Sequence, residues 1–153
     1  MKTKIYQQIL SELPHFWTDY YLTNLSQTAA MIYQTLPGLN WVGFYLKNGD
    51  QLRLGPYQGK PACMDIQMGR GVCGTSAKLR QTLIVPDVHQ FIDHIACDSA
   101  SNSEIVIPMI YQGQLLGVLD LDSPHLNHFD YVDAQNLQVL VSDMLKKSIL
   151  PSA

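Results

Sequence analysis

Between His89 and Glu104 the chain reads His-Gln-Phe-Ile-Asp-His-Ile-Ala-Cys-Asp-Ser-Ala-Ser-Asn-Ser-Glu, with neither helical nor strand period. Loops mostly need turn formers. A loop that instead carries two histidines, a cysteine and three acids is either a solvated connector or a piece of reactive machinery. The cysteines bear on that choice. There are three, Cys63, Cys73 and Cys97, and an odd count argues against a structural disulfide framework. A lone cysteine is ordinarily a small buried hydrophobe. Each of these sits instead in a polar or glycine-rich segment, which favours a reactive thiol.

Three thiol chemistries compete. Cys97 could serve as the nucleophile of a Cys-His hydrolase. His94 and Cys97, with His89, Cys63 and Cys73, could ligate a metal. No Cys-x-x-Cys pair is present, however, and most structural zinc sites use one, so no metal is expected. A thiol redox cycle uses the cysteines best: one attacks, one resolves the resulting sulfenic acid as a disulfide, and a third assists.

Carboxylates supply the second half of the chemistry. Glu104 to Tyr111 and Gln114 to Asp122 read as two strands joined at Gln112-Gly113. A plain two-residue turn would set Glu104 against Leu121, on the other face from Asp120 and Asp122. Gln-Gly is not the Asn-Gly or Asp-Gly pair that such turns favour. The expected register therefore has a glycine bulge at Gly113, pairs Ile110 with Gln114 and places Glu104 across from Asp120. Glu104, Asp120 and Asp122 then share one face. A solvated acidic edge would make that harmless. Yet Leu116-Gly117-Val118-Leu119-Asp120-Leu121-Asp122 is otherwise as apolar as a core strand. Shielded together, the carboxylates repel, and at least one becomes a proton donor near neutral pH.

The remaining elements must position these groups. Lys2 to Leu13 reads as a helix ended by Pro14, and Thr18 to Leu36 as an amphipathic helix closed by Pro37-Gly38. Trp41 to Leu46 is an aromatic strand, and Asn48-Gly49 turns it into the return strand Gln51 to Leu54. Trp41 and Tyr45 lie on one face and Val42, Phe44 and Leu46 on the other. Gly55 to Cys63 is rich in glycine and proline and cannot be helical, and Met64 to Gly69 is a short extended piece. Gly69-Arg70-Gly71-Val72-Cys73-Gly74 leads into a helix at Thr75 to Arg80, a setting that suits a phosphate or carboxylate cradle. The spacing is neither that of a P-loop nor that of a dinucleotide fingerprint. Gln81 to Val85 is a strand, and Asp130 caps a final helix from about Tyr131 to Ile149.

At 153 residues and 46% hydrophobic, the chain fits one domain with a full core, 1–153. The expected class is α+β, a central antiparallel sheet of about five or six strands with helices packed against it. A net charge of −3 makes nucleic acid an improbable partner. No apolar run is long enough to span a membrane, and the N-terminus lacks a signal core. The expected location is cytoplasmic.

Several motifs together resemble the free methionine-(R)-sulfoxide reductases, single GAF-domain enzymes. They are Trp41-Val42-Gly43-Phe44-Tyr45, Leu54 through Cys63, Gly69 through Gly74, His94-Ile95-Ala96-Cys97-Asp98, Ser103 through Pro108 and Gly117 through Pro124. The resemblance spans about residues 20 to 145 and includes the spacing of the three cysteines. It implies that Cys97 attacks the sulfoxide sulfur, that Cys63 closes a disulfide with it, and that Cys73 supports recycling. It also implies that Glu104, Asp120 and Asp122 bind and protonate the sulfoxide oxygen, and that Trp41 and Tyr45 wall the terminal methyl. No bound cofactor is implied. The external reductant would be NADPH-linked thioredoxin, and the assembly a homodimer. His94 and Asp98 flank the thiol and are placed to tune it. One departure stands out: the family usually reads Pro-Gly just before His-Ile-Ala-Cys, whereas this chain has Ile92-Asp93. A non-catalytic GAF module for small-ligand binding or redox sensing is the competing class.

Overall fold

The computed structural model describes residues 1–93 and 99–152. Its centre is a six-stranded antiparallel sheet in the order β3-β2-β1-β6-β5-β4. The strands are β1 Trp41–Asn48, β2 Gln51–Gly59, β3 Asp65–Gln67, β4 Leu83–Val85, β5 Ser103–Tyr111 and β6 Gln114–Ser123. The helices are α1 Lys2–Glu12, α2 Tyr21–Thr35, α3 Gly71–Leu79 and α4 Tyr131–Lys147. The class is α+β, and the architecture is the expected one.

The alternation of each strand divides the core in two. Val42, Phe44, Ile105, Ile107, Leu119 and Leu121 point to one side and pack with apolar residues of α1, α2 and α4. Trp41, Tyr45, Val106 and Val118 point to the other, where they meet Val72, Cys73 and Ala77 of α3 and Ile66 of β3. The terminal helices are covering elements, tied to each other at Asp133. This residue completes a capping box with Asp130, accepts from Tyr6 Oη at 2.6 Å and pairs with Lys2 Nζ at 2.7 Å.

Three expectations need correction. The segment after Leu54 is not irregular: β2 runs to Gly59, because Gly55 to Gly59 lies alongside β1, with Tyr57 opposite Gly43. The third helix begins at Gly71 rather than Thr75, which makes Cys73 a first-turn residue. The β5–β6 register differs as well. Gln112 and Gly113 form a tight turn with φ of 50° and 77°, and Tyr111 pairs directly with Gln114. The bulge sits further along, at Leu116, where Ile110 pairs with Leu115 but Met109 with Gly117. Glu104 therefore lies opposite Asp122, not Asp120. Since the extra residue entered the hairpin all the same, the three acids still share a face.

Gly117 makes that bulge feasible. Its φ is 152°, and a Cβ there would lie 2.2 Å from the Tyr45 carbonyl oxygen. No side chain fits between β6 and β1 at this crossing. Gly117→Ala should lower unfolding free energy by about 2 kcal/mol or more. Urea denaturation checks this, and an unchanged midpoint would show that the crossing is not tight.

Candidate active site

The site is built on the sheet face that looks toward α3. The ladder sets Trp41 opposite Asp122 and Gly43 opposite Asp120 across β1 and β6. It also sets Glu104 opposite Asp122 and Val106 opposite Asp120 across β6 and β5. Trp41, Tyr45, Glu104, Asp120 and Asp122 thus stand on one surface, fixed by backbone pairing alone.

Aromatic rings form one wall. Trp41 and Tyr45 are each 2% exposed, with ring centroids 5.9 Å apart. Each ring is also tethered: Trp41 Nε1 donates to the Lys60 carbonyl at 3.0 Å, and Tyr45 Oη donates to the Cys63 carbonyl at 2.9 Å. The half-buried Cys63 is therefore held beside the wall by the tyrosine. Sequence reasoning missed a third ring. Tyr57 stacks on Trp41 at 5.3 Å with a 16° interplanar angle. It can do so because Gly43 has no side chain: a Cβ there would sit 2.4 Å from Tyr57 Cβ and 2.5 Å from Trp41 Cη2. An aromatic residue in the glycine- and proline-rich stretch opposite Gly43 was the available signal.

Opposite the rings lie the acids and a thiol. Glu104 is 7% exposed, Asp120 5% and Cys73 5%; Asp122 is half-buried. Cys73 Sγ approaches Glu104 Oε2 at 3.9 Å. Burial pushes the Asp120 carboxyl well above the usual carboxylate range, and the neighbouring Asp122 and Glu104 push it further. Burial likewise raises the Cys73 thiol, with Asp120 and Glu104 adding to the effect. Tyr45 is raised by burial and by Asp120. Burial in this pocket thus favours the protonated forms of Asp120 and Cys73, and Asp120 is placed to donate a proton. A thiol kept this protonated is a poor nucleophile.

Cys97, His94 and Asp98 lie outside the described residues. The approach to them is visible. Asp93 has a φ of 67°, a left-handed conformation that favours glycine. Its carboxylate takes both Arg70 Nε and Nη2, the latter at 2.9 Å, and the Gly71 N–H at 3.4 Å. The cradle expected at the start of α3 is thus filled by the protein's own carboxylate. His89 does not join the carboxylate cluster: it is exposed and pairs with Asp87 at 2.9 Å.

The comparisons with known proteins point the same way. The sequence profile of the GAF domain matches residues 21–144. The free methionine-R-sulfoxide reductase of Escherichia coli is 49% identical over 82% of this chain and 76% of its own length. The protein of that name from Saccharomyces cerevisiae is 43% identical over 84% of this chain and 75% of its own. The chain belongs to the free methionine-R-sulfoxide reductase family of GAF-domain proteins. A solved relative, the free methionine-R-sulfoxide reductase of Neisseria meningitidis in complex with its substrate, superposes with a TM-score of 0.92. It is 41% identical, with 96% of this chain and 90% of that one aligned.

The raised carboxyl has a measurable consequence. Asp120 binds its proton more tightly folded than unfolded. The stability tied to that proton is complete below the unfolded carboxylate pKa, near 4, and is lost as pH rises toward the folded value. Asp120→Asn removes this dependence, so the variant should gain stability relative to wild type as pH rises above about 4. Urea titrations of both proteins across pH test it, and a constant difference would mean that Asp120 is not perturbed.

Proposed function

We propose that this protein reduces free L-methionine-(R)-sulfoxide to L-methionine by a thiol mechanism. The observation that carries the reading is the buried Asp120 carboxyl, raised above the usual carboxylate range, beside Glu104 on a face walled by Trp41 and Tyr45. A sulfoxide oxygen becomes a good leaving group only when a proton reaches it, and the methyl on sulfur is best held in an apolar cage. Membership of a family whose named relatives carry this activity supports the same assignment.

In the proposed cycle the Cys97 thiolate attacks the sulfoxide sulfur while Asp120 and Glu104, with Asp122 beside them, deliver protons to the oxygen. The oxygen passes to Cys97 as sulfenic acid, and methionine leaves with its sulfur reduced by two electrons. The Cys63 thiol then attacks the sulfenic sulfur, a disulfide forms and water departs. Thioredoxin, recharged from NADPH, supplies the dithiol that reduces this disulfide and so closes the electron balance. Cys63 suits the resolving step better than Cys73, because it lies half-buried against the aromatic wall whereas burial and the neighbouring carboxyl groups disfavour the Cys73 thiolate. Cys73 acts here chiefly as a wall of the acid pocket, placed to support recycling.

Cys97→Ser should abolish NADPH consumption with thioredoxin, thioredoxin reductase and free methionine-(R)-sulfoxide, while the fold persists by circular dichroism. Glu104→Gln should lower kcat roughly 10²- to 10⁴-fold, the usual range for losing a positioned proton donor. Full turnover by the folded Cys97→Ser protein would sink the proposal. Equal activity on the (S) epimer or on peptide-bound sulfoxide would reject the stated substrate.

A further inference from the structure

The acid pocket has a property that sulfoxide chemistry does not use. The Cys73 thiol and one carboxylate oxygen each from Glu104 and Asp120 lie within 4.8 Å of one another. The three residues come from α3, β5 and β6, so they converge through the fold rather than through a run of neighbours. All three are more than nine-tenths buried. Asp120 Oδ1, itself inaccessible, meets no hydrogen-bond donor among the described residues. A buried polar oxygen left without a partner is an unmet demand that a bound cation can fill.

We propose that Cys73, Glu104 and Asp120 form a binding site for a thiophilic divalent cation of the Zn²⁺ class, whose occupancy shuts out the sulfoxide. One sulfur and two oxygens suit zinc, which takes three protein ligands readily and leaves a fourth position for water. Mg²⁺ and Ca²⁺ call for six or more oxygens and gain nothing from a thiolate. With bond lengths near 2.3 Å to sulfur and 2.0–2.2 Å to oxygen, two ligands on one tetrahedral zinc lie less than about 4 Å apart. Cys73 Sγ and Glu104 Oε2 already meet that limit at 3.9 Å, and a modest contraction brings in Asp120.

Electrostatics favours the exchange. Cys73, Glu104, Asp120 and Asp122, with the Tyr45 hydroxyl, crowd acidic groups into one small buried volume. A dication offsets the negative charge these groups would carry: as it binds, the Cys73 thiol proton and the Asp120 carboxyl proton leave to solvent. The pocket cannot then protonate a sulfoxide oxygen. The cation site stands on geometry alone, whereas its competition with sulfoxide rests on the function proposed above.

The test uses Cys63→Ser/Cys97→Ser protein, in which Cys73 is the sole thiol. Cd²⁺ should produce the ultraviolet thiolate-to-metal absorption with one-equivalent saturation, and calorimetry should give one Zn²⁺ per chain. Adding Cys73→Ala should erase the absorption. Adding Asp120→Asn or Glu104→Gln should weaken Zn²⁺ at least about tenfold, with either variant sufficient should the other fail to fold. Absent saturation, or Zn²⁺ affinity unchanged by Cys73→Ala, would overturn the site. Free methionine-(R)-sulfoxide should weaken Zn²⁺ binding to the same protein; if it does not while the cation still binds, the shared occupancy fails and the cation site survives.

Discussion

Everything in this fold answers to one physical difficulty: Asp120 is a carboxyl group on a central strand, surrounded by core and faced by other acids. Left ionised, such a group would pull its strand apart from its neighbours. The protein answers this with surroundings that favour the protonated carboxyl and hold it rigidly. β6 is paired on both sides, with β1 and with β5, so Asp120 has no edge from which to escape into water.

Rigidity on this face comes largely from what is missing. Gly43 lacks a side chain so that three rings can close against the sheet, and Gly117 lacks one so that β6 can pass close to β1. The opposite face needs no such devices. Ordinary aliphatic packing against α1, α2 and α4 suffices there. The two sides of the sheet thus divide the work, one supplying bulk stability and the other carrying groups that by themselves oppose folding.

Much of this was legible in the sequence. The strand pairs followed from period-two alternation, α4 from its Asp130 cap and apolar stripe, and the shared acidic face from Glu104, Asp120 and Asp122 standing in otherwise apolar runs. What escaped was set by tertiary contact. Gly55 to Gly59 looks like a loop because strand propensity is weak there, yet pairing with β1 overrides it. The start of α3 at Gly71 is hidden in the sequence because glycines are poor helix formers, and packing decides the matter instead. The Arg70–Asp93 pair joins residues distant in the chain and could not be read from spacing.

The bulge at Leu116 has a further meaning. β6 is held in place by β1, so its outward and inward residues are not free to exchange. β5 is a different matter, since its phase against β6 is set by whether one residue between the turn and Gly117 is bulged out of the pairing. Were every residue there to pair without the bulge, the hairpin could still close, but Glu104 would stand opposite Leu121 and face the helices while Ile105 faced the rings. Whether this protein presents a reactive surface or merely a greasy one is decided, in effect, by whether a single residue that touches none of the chemistry is left out of the ladder.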